Sequence, residues 1–179
     1  FSVSGAYAQD KIEREYKIKP SQVPAAALNF IKDSFGPVKV NWYMEQSANG
    51  KSLEAKVKKD NRVYSAEFDT LGNIQDIEVT INMKEIPEAL RLTIERNMAV
   101  QFSRLKVQKV QKQWIAEAAD LKSLIKGDQP GSKHKTHYEI VITGRKDKRI
   151  DEYELLFNEA GALTRQQKII ESNYQHLLY

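Results

Sequence analysis

Apolar positions along this 179-residue chain alternate between two periods. Val23, Ala27, Phe30 and Ile31 recur at helical spacing, with Ser21 placed as an N-cap and Gly36-Pro37 as a stop. Ile86, Leu90, Ile94, Met98 and Phe102 repeat it at steps of four, with Pro87 suited to the first turn. Each helical stretch is followed by strict alternation. Val38, Val40, Trp42 and Met44 share one strand face, Leu53, Ala55 and Val57 a second, and Tyr64, Ala66 and Phe68 a third. Asp60-Asn61 and the segment Gly144 to Lys148 are expected to be hairpin turns. Gly72 and Gly161 mark tight turns that a side chain with a Cβ would resist.

The two halves match in order. Val23-Pro24 corresponds to Ile86-Pro87, Val40 to Val107, Glu54 to Glu139, and the Phe68-to-Gly72 element to Phe157-to-Gly161. The offset grows from 63 to 67, 85 and 89 residues, which describes insertions into the second copy of a tandem duplication. The expected fold class is α+β: two modules, each a helix plus a four-stranded antiparallel sheet. Residues 1–10 stand apart, 11–82 form module 1, and 83–179 form module 2 with an inserted loop at 115–137. One such module of about 70 residues buries little core by itself, so a fused pair has a physical motive. "IEREYKI" at Ile12 to Ile18 reads as an extra strand preceding the first helix.

Composition narrows the class. Hydrophobic residues make up 41% of the chain and aromatics 9%, enough for a packed core. The net charge of +4 is mild and spread along the sequence, well short of a nucleic-acid signature. With no cysteine there are no disulfides, thiolate nucleophiles or cysteine-ligated zinc. No apolar run reaches the roughly 20 residues of a membrane span. Ala6 and Ala8 around Tyr7, followed by Gln9 and Asp10, have the pattern of a signal-peptidase site, so a periplasmic or secreted location is expected; the bland alternative is a flexible polar N-terminus.

The motifs "VPAAALNFI", "KVNWY" and "EAKVKKDNRVYSAEFDTLGNI", with weaker second copies, resemble the PepSY-like family of secreted bacterial proteins. That family is related in fold to the β-lactamase inhibitor protein (BLIP), itself a tandem of two helix-plus-four-strand modules. The resemblance covers nearly the whole of Lys11 to Ile170 and implies a concave sheet face able to hold another protein. It carries over no contact residue, and fold does not imply function.

No phosphate-binding, zinc-protease, nucleophile-elbow or calcium-loop motif occurs. His134 and His137 are flanked by Lys133 and Lys135, which would repel a cation, and His176 stands alone. No catalytic, cofactor-binding or metal-binding residue is assigned. Glu152 and Glu154 should face one side of a strand together with Leu156 and Glu139, a wet face by default. Lys56, Lys58, Lys59 and Arg62 frame one hairpin; Arg145, Lys146, Lys148 and Arg149 frame another. In the insertion, Ile115, Ala118, Leu121, Leu124 and Ile125 make a short amphipathic helix ended by Gly127, either a specificity element or a cover for the sheet. Trp114 is its anchor or a core residue, and the apolar tail from Asn173 should dock.

The leading expectation is an exported, non-enzymatic protein-binding module, an inhibitor or regulator of an envelope or secreted enzyme such as a protease. Its partner-binding residues would be Lys39, Asn41, Tyr43, Lys56, Lys58 and Ser65, which alternate with the core set; burial of Tyr43 would remove this surface. The alternative is a small-molecule or glycan sensor of the envelope, opposed by the wholly apolar inner face of the first helix. A hydrolase ranks last.

Overall fold

The computed structural model describes residues 9–11, 14–47 and 50–170; the Ala6–Ala8 pattern, Ile12, His176 and the apolar tail lie outside them. Chain order runs β1 (Gln9–Lys11), β2 (Arg14–Ile18), α1 (Ala25–Phe35), β3 (Val40–Ser47), β4 (Gly50–Lys59), β5 (Arg62–Phe68) and β6 (Ile74–Thr80). It continues through α2 (Glu88–Gln101), β7 (Arg104–Ile115), α3 (Ala118–Lys126), β8 (Lys135–Lys146), β9 (Arg149–Phe157) and β10 (Leu163–Ile169). The protein is α+β. Its described strand pairs are antiparallel, except that β1 lies parallel to β10.

Contacts divide the chain into two units. The first takes Glu13–Thr80 and Lys112–Thr136; the second takes Phe1–Ile12, Ile81–Gln111 and His137–Tyr179. In the first, the strands lie in the order β6-β5-β4-β3-β2; in the second, β1-β10-β9-β8-β7.

Both long helices start in the same way. A 3-10 turn at Pro20–Gln22 is closed by the Gln22 side chain, whose Oε1 accepts the Lys19 N–H at 2.9 Å. Val23 is extended, as a residue before proline must be, and α1 begins directly after Pro24. Ser21 is therefore inside the 3-10 turn and caps nothing, a departure from the sequence expectation forced by the proline three residues on. The second copy runs Asn82, a 3-10 turn at Met83–Glu85, extended Ile86, Pro87 and α2, with Glu85 Oε2 accepting the Asn82 N–H at 2.8 Å.

In the first unit α1 buries Ala27, Phe30, Ile31 and Phe35 against Trp42, Leu53, Ala55, Val57, Ala66 and Phe68. Phe68 is completely buried and sits edge-on to Phe30 at 5.7 Å, with Trp42 at 5.8 Å. Leu121 and Ile125 of α3 complete this core, and Lys122 ties α3 to α1 through Asp33 at 2.8 Å. Trp114 packs against the same cluster. The second unit packs Ile94, Met98 and Phe102 on Ile140, Ile142, Tyr153, Leu155 and Phe157.

The Phe-x-x-x-Gly elements fold alike. Asp69 Oδ1 accepts the N–H groups of Leu71 and Asn73, and Gly72 N–H donates to the Asp69 carbonyl; Asn158 does the same with Ala160, Ala162 and Gly161. Gly72 (φ 89°) and Gly161 (φ 77°) take the left-handed conformation expected of them. A register shift flanks each, where Glu67 pairs with Asp76 but Phe68 with Ile74, and where Leu163 pairs with Phe157 but Arg165 with Leu156. The hairpin turns are Asp60-Asn61 and Asp147-Lys148, all four at positive φ, the conformation that matches the strand twist. Gly144 is not in the second turn. It is buried inside β8, where a Cβ would stand 2.6 Å from the Phe102 ring.

A Cβ on Gly72 would meet the Pro24 Cβ at 2.8 Å and the Ala27 nitrogen at 3.1 Å, whereas one on Gly127 would meet nothing within 4 Å. Both residues have positive φ. Gly72→Ala should therefore cost about 2–4 kcal/mol in urea unfolding, against about 1 kcal/mol for Gly127→Ala. Equal costs would show that the close approach of turn and helix carries no energetic weight.

Candidate functional site

The face of the first unit turned away from α1 carries the residues singled out as a contact surface. Register places Asn41, Lys56 and Ser65 in one cross-strand row over β3, β4 and β5. The next row runs Tyr43, Glu54, Glu67 and Asp76. Tyr43 is half-buried, with the Lys56 ammonium 4.7 Å from its ring centroid. Lys58 is exposed near the β4–β5 turn and pairs with Val63; Lys39 is exposed just before β3. Ser65 is 7% exposed, so little of it is open to a partner.

Lys56 organises this face. Its ammonium lies 2.8 Å from Glu15 Oε1 on β2 and 2.9 Å from Glu54 Oε2 on its own strand. Glu54 Oε2 is buried and has no other hydrogen-bond partner, so this ion pair is its compensation. Burial opposes the charge on Lys56, but the hydrogen bonds from Glu15 and Glu54 outweigh it and hold its pKa well above the ordinary lysine range. Glu15, Glu45 and Glu54 each bring an oxygen within 4.8 Å of the others, and Lys56 pairs with two of the three. Carboxylates directly opposite one another repel. Of the rest of the acidic row, Glu67 and Asp76 also have partners.

Nothing in the spacing of residues points to Glu15 or Glu54 as partners of Lys56. Glu54 follows the core residue Leu53 and faces the other way, and Glu15 lies 41 residues from Lys56 on the neighbouring edge strand. In the second unit the acids share one strand face, as expected, but differ in depth. Glu152 is exposed opposite Thr143, while Glu139 and Glu154 are buried. Arg165 Nη2 stands 3.3 Å from Glu154 and 3.8 Å from Glu139. Arg165 had no periodic signal because the β10 bulge shifts it onto this face.

The insertion is pinned by Asp120, which is buried on α3. Its carboxylate accepts the backbone N–H groups of Gly131 at 2.6 Å and Ser132 at 3.2 Å, and the Ser132 hydroxyl. The Ser132 hydroxyl, then the two backbone donors and nearby His134, hold its pKa below the ordinary value, against the opposing effect of burial. His137 also has a partner.

Two predictions follow from these contacts. Lys56→Met should destabilise the protein by about 1–3 kcal/mol in urea, with Glu54→Gln in that background restoring part of the loss. An unchanged stability would mean that Glu54 finds water in place of Lys56. For Asp120, a folded pKa below 3.8 makes its contribution complete above about pH 4 and lost as pH falls through the folded value. The protection factors of the Gly131 and Ser132 amides, taken relative to the intrinsic rate at each pH, should fall on acidification below about pH 4, and Asp120→Ala should show the low protection at neutral pH. Protection that survives both changes would assign the loop's order to other contacts.

No family model and no curated protein matches the sequence. Solved structures do resemble the fold. A DUF2874 family protein from Bacteroides ovatus has a TM-score of 0.54 at 12% identity, covering 87% of this chain and 94% of its own. A candidate periplasmic protein from Bacteroides eggerthii has 0.53 at 16% identity, covering 82% and 88%. A BLIP-like protein from Bacteroides fragilis has 0.52 at 16% identity, covering 86% and 92%. At such identities the likeness is one of fold: this chain is similar in architecture to a BLIP-like protein over most of both chains.

Proposed function

We propose that this chain is an exported, non-enzymatic protein-binding module that restrains or regulates an enzyme of the cell envelope, such as a protease. We read it as a tandem duplication, module 1 over 11–82 and module 2 over 83–179 with the 115–137 insertion, in the PepSY-like manner. The paired 3-10 turn and proline entries of α1 and α2, and the paired turns at Asp69 and Asn158, support that reading. Likeness to a BLIP-like fold and to a candidate periplasmic protein supports binding and export. Among the described residues no helix is long and apolar enough to cross a membrane.

The observation that carries the proposal is the ordered polar surface around Tyr43. An ammonium stacked on a tyrosine and fixed by two carboxylates is a rigid donor and acceptor array, set before any partner arrives. Preorganisation of this kind lowers the entropic cost of association. Tyrosine on such a surface offers a large apolar contact with a polar tip. Lys39, Asn41 and Lys58 extend the surface, and Ser65 stands opposite Lys56 on β5.

Affinity capture from the envelope fraction of the source organism, with this chain as bait, tests the reading. A single saturable protein partner is expected, with affinity falling at least about tenfold in Tyr43→Ala combined with Lys39→Glu, two changes outside the Glu54 ion pair. Capture that is unaffected by both substitutions would move the contact off this face.

A further inference from the structure

Strand β2 ends the sheet of the first unit, with β3 on one side and, among the described residues, no strand on the other. Its five residues, Arg14-Glu15-Tyr16-Lys17-Ile18, pair with β3 without a register shift. Side chains along a strand alternate between faces. Ile18, opposite the buried Trp42, lies on the core face, and so does Tyr16, opposite Met44. Met44 packs against the core, yet Tyr16 beside it is 48% exposed, and among the described residues no second ring packs on it. Glu15 and Lys17 face the polar side, opposite Glu45 and Tyr43.

An open edge is a template for another strand, and natural sheets blunt it with proline, a bulge or charge. β2 has neither proline nor bulge, so its charges are its protection. Their order leaves one pairing open. An antiparallel copy of the same strand, laid so that Tyr16 stands opposite Tyr16, brings Glu15 of each copy opposite Lys17 of the other. Opposite charges directly across a strand pair attract, as do paired aromatic rings. Centring the pair on either neighbour instead sets Lys17 against Lys17, or Glu15 against Glu15, and like charges repel. Glu15 is held on the polar face by the Lys56 ammonium at 2.8 Å. Lys17 makes no ion pair among the described residues.

We propose that β2 is a docking edge for a second copy of this chain, the two strands pairing antiparallel about Tyr16. A second copy fits better than an unrelated strand because the edge is complementary to itself, with one anion and one cation flanking a single aromatic residue. The contact is isologous, each copy giving the other the same residues, as in most homodimers. The same register seats the two Tyr16 rings side by side on the core face, where each covers the exposed part of the other. A five-residue edge buries little area, so the association is weak, with a dissociation constant on the order of ten micromolar. The inference does not rest on the contact surface around Tyr43, and it leaves the polar faces of both copies on one side of the joined strands.

Sedimentation equilibrium of the full chain at micromolar to submillimolar concentrations reads this directly, and a reversible monomer–dimer equilibrium is expected. Lys17→Glu and Glu15→Lys should each weaken it at least about tenfold, because each sets like charges opposite one another twice. Mixed in equal amounts, the two variants should dimerise again, since one then offers two anions where the other offers two cations. That recovery, with circular dichroism matching the unaltered chain, keeps a folding defect out of the comparison. Because the chain has no cysteine, Tyr16→Cys should give a disulfide-linked dimer under mild oxidation, and Leu71→Cys, 74% exposed in another part of the unit, should give far less. A chain that stays monomeric, a dimer indifferent to Lys17→Glu, or a mixture that associates no better than its separate components would overturn the proposal. So would a Tyr16→Cys chain that crosslinks no faster than Leu71→Cys.

Discussion

In the first unit the turn after β5 comes close against the helix at a point where a side chain is missing. Gly72 brings the turn after β5 against Pro24 and Ala27 at the start of α1, and four residues earlier Phe68 fills the space beneath the helix. One residue sets how near the turn can come, the other how the sheet is filled behind it. Gly161 and Phe157 repeat the arrangement against Leu90 and Thr93 of α2, where the Asn97 amide also donates to the Gly161 carbonyl at 2.7 Å. A helix held at both its start and its inner face has little freedom to slide. The repeated Phe-x-x-x-Gly words of the sequence are the written form of that constraint.

Elements governed by local periodicity were legible in the sequence. The inner faces of both long helices, the alternating core of β3 to β5, the Asp60-Asn61 turn and the inserted helix ending at Gly127 all follow from spacing within a few residues. Features governed by distant neighbours were not. Ser21 has the chemistry of an N-cap, but Pro24 moves the helix start beyond its reach. Gly144 has the chemistry of a turn residue, but the Phe102 ring needs its missing Cβ. Arg165 meets two carboxylates only because a bulge turns its side chain. Alternation alone gives the face of the surface residues but not the depth of Ser65 or the carboxylates that hold Lys56.

Charge on the polar faces is handled differently at the centre and at the tips. Towards the centre, carboxylates too deep for water to compensate fully are met by Lys56 in one unit and Arg165 in the other. Removing a partner there strands a buried charge. At the tips, Lys59 is set against Arg62 and Lys146 against Arg149, in less buried positions.

Helix α3 is written between β7 and β8, late in the chain, yet its Leu121 and Ile125 sit among residues that begin at Ile18. The order of synthesis therefore differs from the order of packing. A nascent chain ending at Thr80 already holds α1 and all of β2 to β6, but its core stays open on one side until residues some forty positions later have emerged. Contacts so far apart in sequence also slow the search for the native state. During that interval Phe30 and its neighbours lack the cover that Leu121 and Ile125 supply, and apolar surface left open in this way is what makes a partly folded chain prone to aggregate.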